Sequence, residues 1–207
     1  MSDLDNEPPP LKMPLGGWDP LGVRPAFGTY RGLIRLMLGH LELMGGGLRP
    51  FQQCRWREVR RLVFVCTGNI CRSPYAEHQA RALDIPTASF GLSTTTGRPA
   101  DATALRVAAG RGVDLRAHRA CDARDFQILD GDLLVAMEPR QGHLMLKQFP
   151  EHADCMSLLG LWSGPRRPHI HDPHRLSDAY FSRCFDIVDS AVNNIHRQLE
   201  DLRDRTG

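Results

Sequence analysis

The sequence predicts an α/β fold, a single domain with a central, mostly parallel four-stranded sheet flanked by helices. An N-terminal extension containing an amphipathic helix precedes this domain. From residue 62 onward, apolar runs of strand length alternate with segments of helical periodicity, which is the pattern of βαβ units. One run, residues 132–137, is almost continuously apolar, as expected for a parallel strand buried on both faces.

The predicted elements follow the chain in a regular order. Strands are predicted at residues 62–65, 87–92, 132–137 and 155–159. Helices are predicted at residues 74–83, 100–110, 139–149 and 177–203. The second of these helices ends at Gly110, a residue type that suits a helix C-terminus. Residues 59–207 are therefore expected to form one domain.

Residues 1–58 are expected to form the extension. Residues 1 to about 27 are rich in proline and glycine and predict a flexible or irregularly docked tail. An amphipathic helix is predicted at about 29–44, because apolar residues recur there at helical spacing and glycines follow at 45–47. Its apolar positions are Leu33, Ile34, Met37, Leu41 and Met44. We expect this stripe to cover an apolar face of the domain; a homodimer contact, a partner-docking helix or a membrane-surface helix are the alternatives.

Composition excludes several classes of protein. The net charge is only +2. The basic side chains at residues 55–61 are expected to be exposed to solvent ahead of the first strand, so no nucleic-acid partner is expected. No secretory signal is evident, because the first residues are acidic and proline-rich. The most apolar stretch, residues 33–48, is too short for a membrane span and is interrupted by charged side chains.

The motif around which the chain is organised lies at residues 63–74 and reads Val-Phe-Val-Cys-Thr-Gly-Asn-Ile-Cys-Arg-Ser-Pro. An apolar strand runs into a short loop and then into a helix start. The backbone N–H groups of such a loop can converge on a tetrahedral anion. Gly68 and Asn69 can adopt the positive φ angles that the curl requires. Ser73 suits the helix N-cap and Pro74 the first turn.

Two side chains in this motif predict phosphoryl-transfer chemistry. Arg72 offers a planar fork of donors for two phosphate oxygens. Cys66 lies where the positive potential of the loop is focused, and its thiolate would be a nucleophile aimed at phosphorus. The alternative for Cys66 is a buried thiol that merely ends a strand. The predicted phosphate ligands are Thr67, Gly68, Asn69, Ile70, Cys71 and Arg72.

The segment Cys-Thr-Gly-Asn-Ile-Cys-Arg-Ser-Pro at residues 66–74 resembles the phosphate-binding loop of the low-molecular-weight protein tyrosine phosphatases. The resemblance extends over most of residues 61–203 and includes the Ser-Phe-Gly-Leu segment at 89–92 and the strand at 132–138. It implies hydrolysis of phosphotyrosine through a cysteinyl-phosphate intermediate, with neither metal nor cofactor. A thiolate enzyme needs a reducing compartment, and the six cysteines form no metal-type pairs, so the cytoplasm is expected.

A general acid must protonate the leaving oxygen, and Asp172 is the candidate. It lies in the polar run His-Ile-His-Asp-Pro-His-Arg at residues 169–175, before the last helix. An Asp-Pro pair alone also starts ordinary turns. The resemblance strengthens the assignment, because the family carries its acid in an Asp-Pro loop at this place in the chain. The same carboxylate would then deprotonate the water that hydrolyses the intermediate.

The resemblance implies further roles for residues around the loop. Ser73 would stabilise the departing thiolate, while Ser89 and His118 would support Asn69 in its strained conformation; a surface-loop histidine is the alternative for His118. His174 and Arg175 would form the substrate rim. His174 stands where many family members have an aromatic residue. Arg175 matches the bacterial members that are tied to polysaccharide export. A tyrosine kinase of exopolysaccharide synthesis is the implied partner.

The sequence is compatible with three further interpretations. Under oxidation Cys71 could form a regulatory disulfide with Cys66, or it is simply a packed thiol. An arsenate reductase on the same fold would need closely spaced relay cysteines, whereas Cys121, Cys155 and Cys184 are widely scattered. A non-catalytic phosphate-binding or scaffold protein would be expected to lack at least one of Cys66, Arg72 and Asp172, and all three are present.

Overall fold

The computed structural model describes residues 22–205, so residues 1–21 of the predicted tail lie outside the described residues. A four-stranded sheet forms the centre of the fold. Its strands are β1 (Arg61–Cys66), β2 (Thr87–Gly91), β3 (Asp132–Ala136) and β4 (Met156–Leu158). They run in the order β2-β1-β3-β4, and every neighbouring pair is parallel. The predicted sheet is therefore confirmed.

Six α-helices surround the sheet in the described part of the chain. They are α1 (Val23–Phe27), α2 (Tyr30–Met44), α3 (Arg72–Arg81), α4 (Ala102–Ala109), α5 (Pro139–Gln148) and α6 (Asp178–Asp204). Short 3₁₀ turns occur at Arg49–Phe51, Trp56–Glu58, Pro150–Cys155 and Leu159–Leu161. Side chains cap three helices: Thr29 accepts from an N–H of α2, Asp101 from two of α4 and Ser177 from one of α6.

The core lies on both faces of the sheet, because successive side chains of a strand point to opposite sides. Leu62 and Phe64 of β1 pack into the cluster that includes the apolar residues of α3 and α6. Val63 and Val65 pack into a second cluster with Phe51. All four β1 side chains are completely buried, and each contributes about 1.5–3 kcal/mol to folding. This double burial holds the end of β1, where the motif begins, in a fixed position.

The first helix corrects the predicted extent of the tail. Residues 23–27 form an α-helix rather than a flexible segment, and this helix packs against α6 and α2. Val23 supplies the reason, because its side chain is buried. The later part of the extension is also integrated with the domain. Leu48 and Phe51 belong to the second core cluster, and the backbone oxygen of Phe51 accepts a hydrogen bond from Ser157.

Helix α2 lies where the sequence predicts it, but the expected orientation of its apolar stripe is wrong. Ile34, Met37, Leu41 and Met44 are exposed, together with Leu38. The buried positions of α2 are instead Gly32 and Gly39. A Cβ atom on Gly32 would lie 2.8 Å from the His171 ring, and one on Gly39 would lie 3.3 Å from Pro168. The helix thus approaches a polar loop closely through its glycines, and this contact requires small residues rather than large apolar ones.

The described residues, 22–205, contain no helix that is both long enough and apolar enough to cross a lipid bilayer.

The basic run before β1 is partly neutralised within the fold. Arg55 pairs with Glu58 and Asp154, and Arg61 pairs with Asp132 at 2.6 Å.

Candidate active site

The predicted site residues gather at the carboxyl ends of β1 and β3. From β1 the chain connects to β2 on one side of the sheet, whereas β3 lies on the other side. Ligands of open parallel sheets bind in the crevice at such a switch point. Cys66 ends β1, and the loop that follows it leads directly into α3. Glu138 follows β3 and faces this loop across the crevice.

The loop curls around the sulfur of Cys66. Asn69 has a φ of 50°, the left-handed conformation that the sequence predicts for it. This turn directs the Asn69 N–H at the Cys66 Sγ atom, 3.1 Å away. Gly68 differs from expectation, because it is not among the residues with positive φ. One left-handed residue is therefore enough to turn the loop, and it is the residue whose side chain is held by neighbours.

A buried hydrogen-bond network holds Asn69. Its amide nitrogen donates to Ser89 Oγ at 2.8 Å and to Ser73 Oγ at 2.9 Å, and its amide oxygen accepts from the Cys121 N–H at 2.9 Å. His118 Nε2 lies 2.8 Å from the Asn69 carbonyl oxygen. Burial lowers the pKa of His118, so the neutral ring places its proton on Nε2 and donates to this carbonyl. The structure thus places Ser89 and His118 where the resemblance implies.

Ser73 contacts the candidate nucleophile rather than capping the helix. Its Oγ atom lies 3.0 Å from Cys66 Sγ. The N-cap of α3 is Cys71, which makes no side-chain cap, so the predicted N-cap role of Ser73 is wrong. The helix begins two residues earlier than that prediction requires, and Ser73 falls in its first turn with Pro74. Because Asn69 donates to Ser73 Oγ, the hydroxyl proton is available to the Cys66 sulfur.

Arg72 is buried in a cage of oxygen atoms. Its Nη1 donates to the carbonyl oxygen of Ile170 at 2.7 Å and to Glu138 Oε1 at 3.0 Å, and its Nη2 lies 3.4 Å from Asp172 Oδ2. Burial alone would lower the pKa of Arg72, but the charges of Asp172 and Glu138 outweigh it and raise that pKa. Among the described residues, the buried Arg72 Nε has no hydrogen-bond partner. An unsatisfied buried donor on a cation is costly, and a bound anion would satisfy it.

Glu138 and Gln141 complete this cage, and the sequence reasoning missed both of them as site residues. Gln141 Nε2 donates to Glu138 Oε1 at 3.0 Å and to Thr67 Oγ1 at 3.1 Å, which ties the phosphate-binding loop to the β3 side of the crevice. His169 Nδ1 lies 3.5 Å from Glu138 Oε2, and burial lowers the pKa of His169 to about 4, so its ring is neutral. A charged residue directly after a buried parallel strand is the signal that could have identified Glu138.

Asp172 lies at the entrance to the site. Its side chain is 46% exposed, in contrast to the 1% of Arg72 beside it. Asp172 Oδ1 accepts from the His174 N–H at 3.3 Å, and the buried ring of Pro173 follows in the loop. A cleft of about 300 Å³ is lined by Asp172, Thr67, Glu138 and other residues. A carboxyl group at this position can exchange protons with a molecule whose anionic group sits in the loop below.

The two predicted rim residues differ in their surroundings. His174 Nδ1 lies 3.2 Å from Asp101 Oδ2, so the ring is held by the residue that caps α4. Arg175 is exposed and has a φ of 63°. Within residues 22–205, Cys71, Asp101 and His174 are the group whose ligand atoms come close enough to hold a metal, within 4.8 Å of one another. The contact between His174 and Asp101 already engages two of these three groups.

The extension also contacts this site. Thr29 Oγ1 lies 3.0 Å from His171 Nε2, next to the predicted acid, and Gly32 packs on the same imidazole ring. Arg35 Nη1 lies 4.0 Å from Glu138 Oε2. Helix α2 therefore braces the loop that carries Asp172 and forms one wall of the crevice.

We expect Asn69→Ala to destabilise the fold by about 3 kcal/mol, because alanine disfavours a left-handed φ and leaves buried hydrogen-bond partners unsatisfied. Asn69→Gly is the matched control, since glycine accepts the φ but lacks the amide. Its loss should be about half as large. Denaturant unfolding of both variants measures these losses, and a stability of Asn69→Ala equal to that of wild type would contradict the assigned role.

Comparisons with known proteins agree with this geometry. A family model described as low molecular weight phosphotyrosine protein phosphatase matches residues 61–205. The chain is 33% identical over 140 residues to the low molecular weight protein-tyrosine-phosphatase Etp of Escherichia coli K12, covering 67% of this chain and 93% of that protein.

Solved structures show the same similarity. The crystal structure of the Erwinia amylovora tyrosine phosphatase AmsI is similar at a TM-score of 0.60 and 31% identity, over 68% of this chain and 93% of that one. The YwlE arginine phosphatase of Geobacillus stearothermophilus is similar at a TM-score of 0.63 over 72% of this chain and 97% of that one, but at 21% identity this likeness shows the fold alone. With the family model and Etp both matching the part of the chain that builds the crevice, this chain belongs to the low molecular weight phosphotyrosine protein phosphatase family.

Proposed function

We propose that this chain hydrolyses phosphotyrosine on protein substrates through a cysteinyl-phosphate intermediate. The observation that carries the proposal is the arrangement around Cys66. A sulfur that is hydrogen-bonded by a loop N–H and a serine hydroxyl lies beside a buried arginine with a free donor. This arrangement holds the Cys66 sulfur at the centre of the loop and offers a binding place for the phosphoryl oxygens.

The first chemical step transfers the phosphoryl group to the enzyme. Cys66 Sγ attacks phosphorus and forms the S–P bond while the P–O bond to the tyrosine breaks. Arg72 Nε and the loop N–H groups donate hydrogen bonds to the phosphoryl oxygens and so stabilise the charge that spreads over them. Asp172 donates its proton to the leaving phenolate oxygen, so the product leaves as neutral tyrosine.

The second step regenerates the enzyme. Asp172, now a carboxylate, takes a proton from a water molecule that attacks phosphorus, and the S–P bond breaks. Ser73 Oγ, 3.0 Å from Cys66 Sγ, stabilises the departing thiolate by donating a hydrogen bond to it and keeps its own proton. Inorganic phosphate is then released from the loop.

The depth of Cys66 supports a phenol ester as the substrate. Its side chain lies at the base of the loop and is 3% exposed, so a long, flat group reaches it more easily than a short serine ester. The curated relatives above 30% identity are named as tyrosine phosphatases. By the resemblance stated above, the partner would be a bacterial tyrosine kinase of exopolysaccharide synthesis, and the compartment would be the cytoplasm. The homodimer through α2 stays a prediction.

Cys155 and Cys184 argue against the arsenate reductase alternative. Cys155 precedes β4 and so lies at the amino ends of the parallel strands, whereas Cys66 lies at the carboxyl end of β1. Cys184 is buried within α6, and burial raises its pKa to about 12. Cys155 is therefore remote from Cys66, and burial keeps the Cys184 thiol protonated, which makes it a poor nucleophile for relaying a disulfide. The scaffold alternative is not favoured either, because Arg72 and Asp172 are in contact beside the loop.

The wild-type protein should hydrolyse a phosphotyrosine peptide with a kcat/KM at least about a hundredfold above that for the same peptide carrying phosphoserine. The physical reason is the buried position of Cys66, which a serine ester does not reach without bringing the peptide backbone into the loop. Release of inorganic phosphate measures both reactions. Equal rates for the two peptides would contradict the proposed specificity, and turnover of neither would contradict the proposed function.

A further inference from the structure

An apolar surface on α2 has no cover among the described residues. We define the α2 stripe as Ile34, Met37, Leu38, Leu41 and Met44, whose exposed fractions run from 55% to 76%. Contiguous exposed apolar surface of this kind marks interaction sites in soluble proteins. The opposite face of α2 is already committed to the loop of residues 168–171 through Gly32 and Gly39. The stripe is therefore free to contact another molecule.

One edge of this stripe meets the entrance to the active site. Arg35 lines the same cleft of about 300 Å³ as Asp172, together with Arg140 and Leu144 of α5. Leu38 lies one helical turn from Arg35 and is therefore its neighbour on the helix surface. Leu144 is 41% exposed and Leu38 is 57% exposed. Apolar side chains of two helices thus flank the opening through which a substrate must pass.

Two arginines, Arg35 and Arg140, line this entrance together with Asp172. Arg140 is exposed, and the side chain of Arg35 is 30% exposed. Glu138 does not offset them fully, because its carboxylate is buried and hydrogen-bonded by Arg72 and Gln141. Two guanidinium groups beside a phosphate-binding loop favour an anionic ligand segment.

We propose that Arg35, Leu38, Arg140 and Leu144 form a recognition subsite for the polypeptide that flanks the phosphotyrosine. An acidic side chain of the substrate contacts the two arginines, and an apolar side chain contacts Leu38 and Leu144. This inference rests on the proposed function and names the class of segment that the site selects. Since Arg35 and Leu38 precede residue 61, part of the selectivity comes from outside the region that the family model matches.

A protein substrate fits this surface better than a permanent partner does. Arg35 and Leu144 line the cleft that contains Asp172. A second copy of the chain or a membrane surface seated on these residues would cover that entrance, whereas a substrate occupies it only during turnover. Substrate residues next to the phosphotyrosine must also pass within reach of this edge, because the phosphate-binding loop lies at the base of the same crevice.

The charge contacts are tested with two phosphotyrosine peptides that differ only in having glutamate or glutamine beside the phosphotyrosine. For wild type, the acidic peptide should have about a tenfold higher kcat/KM at low salt, through a lower KM, and the preference should shrink as salt is added. Arg35→Gln and Arg140→Gln should each reduce this preference several-fold. Because the readout is a ratio of two peptides, a general loss of activity in Arg35→Gln does not affect it. Arg31→Gln is the matched control, since Arg31 is exposed on α2 but does not line the cleft.

The apolar contacts are tested with Leu38→Gln. The kcat/KM for a peptide with leucine near the phosphotyrosine, divided by that for p-nitrophenyl phosphate, should fall about fivefold to tenfold. Met44→Gln, in the same stripe but six residues further along α2, should leave this ratio near wild type. The inference is overturned if the Arg31 and Met44 controls change the ratios as much as the subsite variants do. It is also overturned if Leu38→Gln changes only the mass in solution or the binding to anionic vesicles. Failure of wild type on every phosphotyrosine peptide would instead count against the proposed function.

Discussion

Replacing Cys66 with serine should reduce phosphatase activity by at least about a thousandfold, the scale on which enzymes lose rate when their nucleophile is removed. A serine hydroxyl is a far weaker nucleophile than a thiolate. Among the described residues, the groups hydrogen-bonded to the Cys66 sulfur are the Asn69 N–H and the Ser73 hydroxyl, and neither is a base that could take a proton from serine. Hydrolysis of p-nitrophenyl phosphate and of a phosphotyrosine peptide measures the loss.

The matched control is Cys155→Ser, the same substitution outside the crevice, at the amino end of β4. It should keep activity within about a factor of two of wild type, in line with the small effects of substitutions away from functional features. Inorganic phosphate should still protect Cys66→Ser against thermal unfolding, because the arginine and the loop remain. Activity of Cys66→Ser close to that of the control would refute the assignment of Cys66 as nucleophile.

The phosphate-binding loop could be predicted from the sequence because nearly all of it is local. Cys66, Asn69 and Arg72 lie within one short segment, and the rules for strand ends, left-handed turns and helix starts apply to that segment alone. Asp172 was found by its position before the last helix, with help from the family resemblance. The network around Asn69 needed that resemblance too, since Ser89 and His118 come from other parts of the chain.

Glu138 and Gln141 show what local reasoning does not reach. Their role depends on β3 lying next to β1, and nothing in the residues near Glu138 indicates that Arg72 will be its partner. The face of α2 was mistaken for a similar reason. Periodicity locates an apolar stripe, but only the partner surface decides whether that stripe is buried. Here the partner is a polar loop that requires the close approach of Gly32 and Gly39.

The role of α2 as a wall of the crevice changes how its deletion should be interpreted. A chain lacking residues 1–55 would lose the contact of Thr29 with His171 and that of Arg35 with Glu138. It would also lose Leu48 and Phe51 and so expose the part of the core that they cover. Loss of activity in such a chain would not by itself report on dimerisation or docking. Point substitutions on the exposed face of α2 are therefore the sharper tools.

Replacing Asp172 with asparagine should slow turnover by about 10²–10⁴-fold for substrates with poor leaving groups, which is the usual worth of a positioned general acid. Asparagine keeps the shape of the side chain but has no acidic proton to give to the leaving oxygen. The loss should be largest for phosphotyrosine and phenyl phosphate. It should be smaller for p-nitrophenyl phosphate, whose leaving group accepts the electron pair readily without protonation. A series of aryl phosphates measures this trend.

The same substitution separates chemistry from binding. Asp172 Oδ2 lies 3.4 Å from Arg72 Nη2, so Asp172→Asn removes a negative charge beside the cation that holds the phosphate. The KM should therefore stay level or fall while kcat decreases, the pattern of an interaction needed in the transition state rather than in the ground state. Asp178→Asn is the control, since Asp178 pairs with Arg106 on the surface. An equal loss for every leaving group, or a rise in KM with kcat intact, would show that Asp172 shapes the loop rather than donating the proton.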